Sequence, residues 1–312
     1  MEVKVDVHDS AIRQIVPEEA TMELIAAGFA FTEGPVWCGD YFLFTDIPRN
    51  RIVRWSMCSS GPEVTTFRSP SGRANGLTLD KSGRLIVCET GTRRVTRTEF
   101  DGSISVLAEL YEGKRLNSPN DVIVRSDGSI YFTDPHFQKE KPYVGIELPF
   151  KGVYRIAPDG DIQLLVDDFG LPNGLVFSPD ENVLYVNDSG MFKPGSIQPL
   201  EGNIRAFDVN RDGSVSNGRI FIEITGDEPG FPDGMKVDRQ GNVYCTGPGG
   251  IWIMNTDGKY LGRIIMEEEP ANFAWGDSDS RSLYITARGS IYRMRLAVPG
   301  IGAFQPMQLP GS

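Results

Sequence analysis

The sequence predicts an all-β protein, a six-bladed β-propeller of four-stranded blades. Three observations predict it: a recurring segment, a near absence of helical periodicity, and chain ends that complete one another. The recurring segment is clearest in "GLPNGLVFSPDENVLYVND", residues 170–188. Two runs rich in β-branched and aromatic residues, Leu175 to Phe177 and Val183 to Val186, flank a turn of Ser178, Pro179, Asp180, Glu181 and Asn182. Asn173 stands at their head. Five further segments share this design: "TEGPVWCGDYFLFTD", "ANGLTLDKSGRLIVCE", "PNDVIVRSDGSIYFTD", "PDGMKVDRQGNVYCTG" and "ANFAWGDSDSRSLYITA". Each has a polar residue, a short apolar strand, a turn, and a second strand ending in a small polar residue. Each is followed by another strand pair, such as "GVYRIAPDGDIQLLVDD", so the repeating unit is four short strands.

The polar heads are Glu33, Asn75, Asn120, Asn173, Asp233 and Asn272, separated by 42, 45, 53, 60 and 39 residues. Those intervals are close to the length of a propeller blade. Helical periodicity is nearly absent, which sets aside an α-rich solenoid. At the N-terminus, "TMELIAAG" (21–28) precedes Glu33 as "DIQLLVDD" precedes Asn173, but has no three strands before it. After Asn272 the chain supplies only three strands, ending in "SIYRMRL". The N-terminal strand is therefore expected to complete the last blade and close the ring, which removes both open edges. The organisation expected is an extension over 1–18, the propeller over 19–298 and a tail over 299–312.

A chain of 312 residues can bury a large core, and 35 glycines with 21 prolines suit a fold of many tight turns. A formal charge of −11 argues against a nucleic-acid partner, whose phosphates call for a basic surface. No apolar run approaches the length of a membrane span, and no basic region followed by an apolar run opens the chain. No membrane partner and a reduced cytoplasmic setting are the expectation. The cysteines, Cys38, Cys58, Cys88 and Cys245, show no CxxC spacing, and His8 and His136 are the only histidines. A Cys/His zinc site is thereby set aside, and Cys88 and Cys245 are expected as core thiols. There is no Gly-rich phosphate loop and no GxSxG elbow.

In a propeller the first strand of each blade lines the central channel, so the six heads should converge at one mouth. Glu, Asn, Asn, Asn, Asp and Asn make a ring of amide and carboxylate oxygens, which fits a hard cation such as calcium. Glu33 and Asp233 would neutralise a divalent charge. The alternative is that each Asx residue caps a turn, which suits the Asn-Gly pairs at Asn75 and Asn173. It explains neither Glu33 in "EGP" nor Asn120 in "NDV".

"FTEGPVW", "SPNDVIVRSDGSIYFTDP", "PNGLVFSPDENVLYVNDS" and "FPDGMKVDRQGNVY" resemble the motifs of the senescence-marker-protein/gluconolactonase/luciferin-regenerating-enzyme family. The resemblance runs from about residue 20 to about residue 296 and is nearest the bacterial gluconolactonase branch. It implies a six-bladed propeller with one catalytic divalent cation, calcium first, with zinc, manganese or magnesium as the other candidates. Carried over by motif, it makes Glu33, Asn173 and Asp233 cation ligands and Asn120 a fourth ligand or a substrate contact. Asp233 would also be the base or the nucleophile. Asn75 and Arg73 would face the substrate, and Asn272, the weakest member, would cap its strand. Ser118 stands where the animal aldonolactonases carry an arginine, so their sugar contact does not transfer. "TDPHF" makes His136 either a substrate contact or an ordinary loop histidine.

The activity implied is hydrolysis of a small-molecule aldono-1,5-lactone such as gluconolactone. Two alternatives stand beside it: a phosphotriesterase or other lactone or ester hydrolase on the same cage, and a non-catalytic binding propeller with a structural cation. The long segments 135–152 and 190–202 are expected on the face of the channel mouth, the first as a lid.

Overall fold

A computed structural model of the chain, describing residues 1–136, 145–190 and 202–303, contains six antiparallel blade sheets whose strands follow one another from inside to outside, and a separate two-stranded hairpin of Leu110–Tyr111 with Lys114–Arg115. The innermost strands are Thr32–Trp37, Ala74–Leu79, Val122–Val124, Pro172–Phe177, Met235–Val237 and Pro270–Gly276. In blade six, Met22–Ala27 pairs with Ser290–Arg295, so the chain's beginning supplies the outer strand of its last blade. The ring closes as the sequence predicts. No described helix is long and apolar enough to cross a membrane.

The first eighteen residues add to the sheets as well. Lys4–Val7 pairs with Tyr260–Ile265 as a fifth strand of blade five. A short 3-10 helix, Ser10–Gln14, follows, with the Asp9 side chain accepting from the Ala11 N–H as its cap. Ile12, Ile15 and Val16 are buried with Tyr244, Ile253, Ile264 and Trp275 where blades five and six meet. At the other end, Gly300 bridges Asp238 and the Ile301 N–H donates to the Val237 carbonyl. The segments 137–144, 191–201 and 304–312 lie outside the described residues, and with them most of the two long segments expected on the mouth face.

The polar heads reach the axis through irregularities of the inner strands. Pairing slips between Glu33 and Val36 in blade one, Ala74 and Leu77 in blade two, and Pro172 and Leu175 in blade four. In blades two and four the slip leaves the head and its following glycine out of the ladder, as a bulge does; in blade one Glu33 still pairs with Thr45 and the slip takes out Gly34 and Pro35. In blades three and five, Asn120 and Asp233 stand just before the first paired residues, Val122 and Met235. The recurring glycine is thus no hairpin residue. A Cβ on Gly34 would fall 1.9 Å from the Asn75 carbonyl oxygen, on Gly76 2.5 Å from that of Asn120, and on Gly174 2.1 Å from that of Asp233. Neighbouring blades meet backbone to backbone at the axis, and only glycine leaves room. Gly174→Ala should therefore destabilise the protein by about 1–3 kcal/mol, because the opposing atom is backbone and cannot move aside as a side chain can. A thermal melt beside Gly302→Ala, whose Cβ would make only an ordinary 3.7 Å contact with the Trp275 carbonyl oxygen, checks this.

The ends of the second strands hold the loops that lead into the heads. Asp46 accepts from the N–H groups of Ala30 and Phe31 at 3.1 and 3.5 Å. Asp134 accepts from Asn117 and Ser118, both at 2.7 Å, and Asp188 from Gly170 and Leu171, both at 2.7 Å. In each case the amides belong to the residues three and two before the head. The "TD", "TD" and "ND" strand endings are therefore clamps that set the entry angle of Glu33, Asn120 and Asn173.

Candidate active site

Five of the six heads, Glu33, Asn75, Asn120, Asn173 and Asn272, are buried, and Asp233 is partly exposed. Three of the amides form a directed chain. Asn75 Nδ2 donates to Asn120 Oδ1 at 2.7 Å, and Asn120 Nδ2 donates to Asn173 Oδ1 at 3.0 Å. Asn173 Nδ2 then donates to Ser189 Oγ at 3.0 Å. On the other side, Asn272 Nδ2 donates to Glu33 Oε2 at 3.1 Å, while its Oδ1 accepts from Lys236 Nζ at 3.1 Å and from the Phe273 N–H at 2.9 Å. Asn272 lies within its strand, paired with Thr286, and joins Glu33 to Lys236.

Asp233 is held by its backbone. Its N–H donates to Thr246 Oγ1 at 2.9 Å, and its carbonyl accepts from Asn187 Nδ2 at 2.5 Å. Both partners are fully buried on the second strands of blades five and four. The side chain is left to the channel, where a hydrogen bond from Asn173 favours its charged form.

The electrostatics of the ring are unbalanced. Burial, then the Asp121 charge, pushes Glu33 up to about 7. Asp233 lies well above the usual carboxylate range through burial and the charges of Glu33 and Asp121. Burial raises Asp121 too. Lys236 is the cation that lowers all three. Three clustered carboxylates thus face one ammonium, an excess of two negative charges if all ionise.

Two buried oxygens of this group, Asn75 Oδ1 and Asp121 Oδ2, have no hydrogen-bond donor among the described residues. An oxygen-only donor set with two surplus negative charges and unfilled acceptors fits a hard divalent cation. Among the described residues no three His, Cys, Asp or Glu side chains form a ready metal cluster, so such a site would be completed by Asn amides.

Asp121 is the residue that sequence spacing missed. It sits one place after the head, where blades one, two, four and five carry glycine. The signal was the "NDV" of blade three itself: an acid in the position that four other blades leave to glycine.

The other expected contacts lie on the mouth side of the blades. Arg73 is exposed two residues before Asn75, with its N–H bonded to Asn50 Oδ1 at 2.6 Å. His136 is buried two residues after Asp134, and burial with the Lys151 charge pushes it down to about 4, so its ring is neutral near pH 7. Ser118 Oγ donates to the Pro135 carbonyl at 2.6 Å, which fixes the chain just before His136.

Beside Asp233 opens a small cavity of about 70 Å³, lined by Phe31, Phe231, Glu269 and Arg288 among others. Arg288 pairs with Glu269 there. Phe31 and Phe231 each stand two residues before a head, whereas Glu269 and Arg288 lie outside the repeated motif, so spacing could not find them. A larger cavity of about 210 Å³ lies further along the inner strands, walled by Val36, Leu77, Val122, Val176 and Ile301. It is the roomier space, but its wall is mostly aliphatic and the carboxylate cluster does not line it.

A family model described as the SMP-30/gluconolactonase/LRE-like region matches residues 31–289. The chain is 32% identical to a gluconolactonase of Zymomonas mobilis over 307 residues, covering 90% of this chain and 83% of that protein. The solved structure of a gluconolactonase from Xanthomonas campestris superposes with a TM-score of 0.79 at 33% identity, covering 94% of each chain. A calcium-binding regucalcin from Agrobacterium tumefaciens shares the fold, with a TM-score of 0.71 at 18% identity, over 93% of this chain and 98% of that one.

Proposed function

Since the chain belongs to the SMP-30/gluconolactonase/LRE-like family, we propose that it hydrolyses an aldono-1,5-lactone, with Asp233 as the reacting carboxylate. The observation that carries this is the pairing of a gluconolactonase relationship along the chain with three carboxylates gathered at one channel mouth.

Glu33, Asn120, Asn173 and Asp233 would hold a divalent cation, calcium first, with zinc, manganese and magnesium as the other candidates. When bound, the cation supplies positive charge that keeps these carboxylates ionised and polarises the lactone carbonyl. The chain's own residues do the rest. Asp233, with its backbone clamped by Thr246 and Asn187, takes a proton from a water molecule as that water's oxygen bonds to the carbonyl carbon. The carbon–ring-oxygen bond then breaks, and the ring oxygen leaves as a hydroxyl carrying that proton. In the other route, an Asp233 oxygen bonds to the carbonyl carbon as the carbon–ring-oxygen bond breaks and the ring oxygen takes a proton from water; the hydroxide then adds at the Asp233 carboxyl carbon and frees the sugar carboxylate. Single turnover in ¹⁸O-water separates the two, because only the second leaves label in Asp233.

Asn75, Arg73 and His136 are proposed as substrate contacts, with Asn120 as ligand or contact. Arg73 donates, and neutral His136 can donate at one nitrogen and accept at the other, as a polyhydroxylated ring requires. The cavity beside Asp233 adds the Arg288–Glu269 pair and two aromatic faces. The test is hydrolysis of D-glucono-1,5-lactone followed by proton release, after chelation and again after return of calcium, zinc, manganese or magnesium. Activity should fall at least about 10²-fold on chelation and return with one of these ions. Turnover of a phosphotriester with none of the lactone would move the site to the phosphotriesterase alternative, and cation binding with no turnover to a structural cation.

A further inference from the structure

We propose that Ser189 is a positioning residue that sets the direction of the whole amide chain and so decides which atoms of Asn173 and Asn120 face the cation. This rests on the ligand set proposed above. Ser189 is fully buried and follows the Asp188 clamp. Its Oγ lies 2.6 Å from the Pro232 carbonyl and 3.0 Å from the Asn173 side-chain amide.

A hydroxyl has one proton, and a carbonyl can only accept. The Ser189 proton is therefore committed to Pro232, and toward Asn173 the hydroxyl can only accept. Asn173 must present its NH₂ to Ser189 and its carbonyl oxygen to the ring. That oxygen is the acceptor for Asn120 Nδ2, so Asn120 is oriented in turn, and its own oxygen accepts from Asn75 Nδ2. One hydroxyl thus polarises three amides on three blades. The chain ends at Asn75 Oδ1, the buried acceptor with no donor among the described residues. That oxygen suits a substrate hydroxyl, which can donate, and an ether or ester oxygen there would find no partner. Pro232 precedes Asp233, so the same serine ties the amide chain to the residue before the reacting carboxylate.

Without Ser189, the NH₂ end of the Asn173 amide keeps only the Asp233 carboxylate as its acceptor, a group that a bound cation would itself engage. The reversed rotamer would point NH₂ at the cage and set it against the NH₂ of Asn120. Ser189→Ala should lower calcium affinity about 10-fold or more, in the range known for outer-shell partners of metal ligands. The decisive variant is Asn173→Asp, whose two oxygens make orientation irrelevant. Calcium affinity, measured by competition with a chromophoric chelator, should drop on Ser189→Ala in the Asn173 background and change less than twofold in the Asn173→Asp background. An equal drop in both backgrounds, or none in either, overturns the proposal.

Hydrogen exchange of the Asn173 side-chain NH₂, followed by NMR on the chelated protein, reads its orientation with no cation present. It should be protected in the wild type and lose protection in Ser189→Ala, and protection that survives the substitution overturns the proposal. If the wild type shows the protection but binds no calcium, zinc, manganese or magnesium, the ligand set is wrong while the polarity of the chain stands.

Discussion

Asp233→Asn should lower kcat/KM for D-glucono-1,5-lactone by about 10³-fold, within the usual contribution of a positioned base, while leaving the fold intact. The fold survives because Asp233 is held through its N–H and carbonyl, by Thr246 and Asn187, and neither bond involves the carboxylate. Asparagine keeps one oxygen of nearly the same shape, so a cation can still be ligated there. What is lost is the basic oxygen and one negative charge. The loss should therefore appear mainly in kcat, with a smaller weakening of calcium binding. Asn173→Ala should show the reverse pattern: calcium affinity falls first, and activity recovers in part at high calcium. Steady-state kinetics of both variants across a calcium titration separate these roles. An Asp233→Asn enzyme within 10-fold of wild type would move the reacting group elsewhere, with Glu33 and Asp121 the next carboxylates in the cluster.

The propeller was legible because its repeat is written in residue types that survive divergence between blades. A polar head and an apolar strand recur in every blade and a glycine between them in four, and at Gly34, Gly76 and Gly174 the steric reason is the same: a Cβ would strike the next blade's backbone. The heads were legible for the same reason, since their spacing is the blade spacing. Residues that break the repeat were harder to see. Asp121 occupies a glycine position in one blade only, and Lys236 lies three residues past a head in one blade only. The attraction of the Lys236 charge for Asp121 acts between blades five and three, far apart in sequence, which no periodicity encodes. Ser189 escaped for another reason. It reads as the small polar end of an ordinary strand, and its importance comes from the carbonyl of Pro232, 43 residues away, that claims its proton. Arg288 and Glu269 were hidden because substrate pockets on propellers are built from loops, which carry no repeat.

The chelated protein should melt at a lower temperature at pH 7.5 than at pH 5, and calcium should reverse that order. The folded-state pKa of Glu33, about 7, lies above its ordinary 4.5. A raised carboxyl binds its proton more tightly in the folded state. Its stabilisation is present below about pH 4.5 and is lost as pH rises through about 7. At 1.36 kcal/mol per unit, Glu33 alone accounts for about 3 kcal/mol. Asp134, also pushed up to about 7 by burial, acts in the same direction, as do Asp121 and Asp233. His136 opposes them: lowered from 6.5 to about 4, it loses stability as pH falls through that window. One histidine offsets about one of the carboxyls, and above pH 6.5 it no longer acts. Carboxyls with depressed values, such as Glu89 among its hydroxyl and arginine partners, lose their contribution only below about pH 4.5. Calcium at 1,000 times its Kd adds about 4 kcal/mol. Because it must displace protons from Glu33 and Asp233, it gives its full effect at pH 7.5 and much less at pH 5. Differential scanning fluorimetry in chelator and in calcium at the two pH values measures all four corners. A chelated protein that gains stability from pH 5 to 7.5, or a calcium shift equal at both, would mean that the channel carboxylates are already neutralised from within and that the surplus charge drawing a cation to the mouth does not exist.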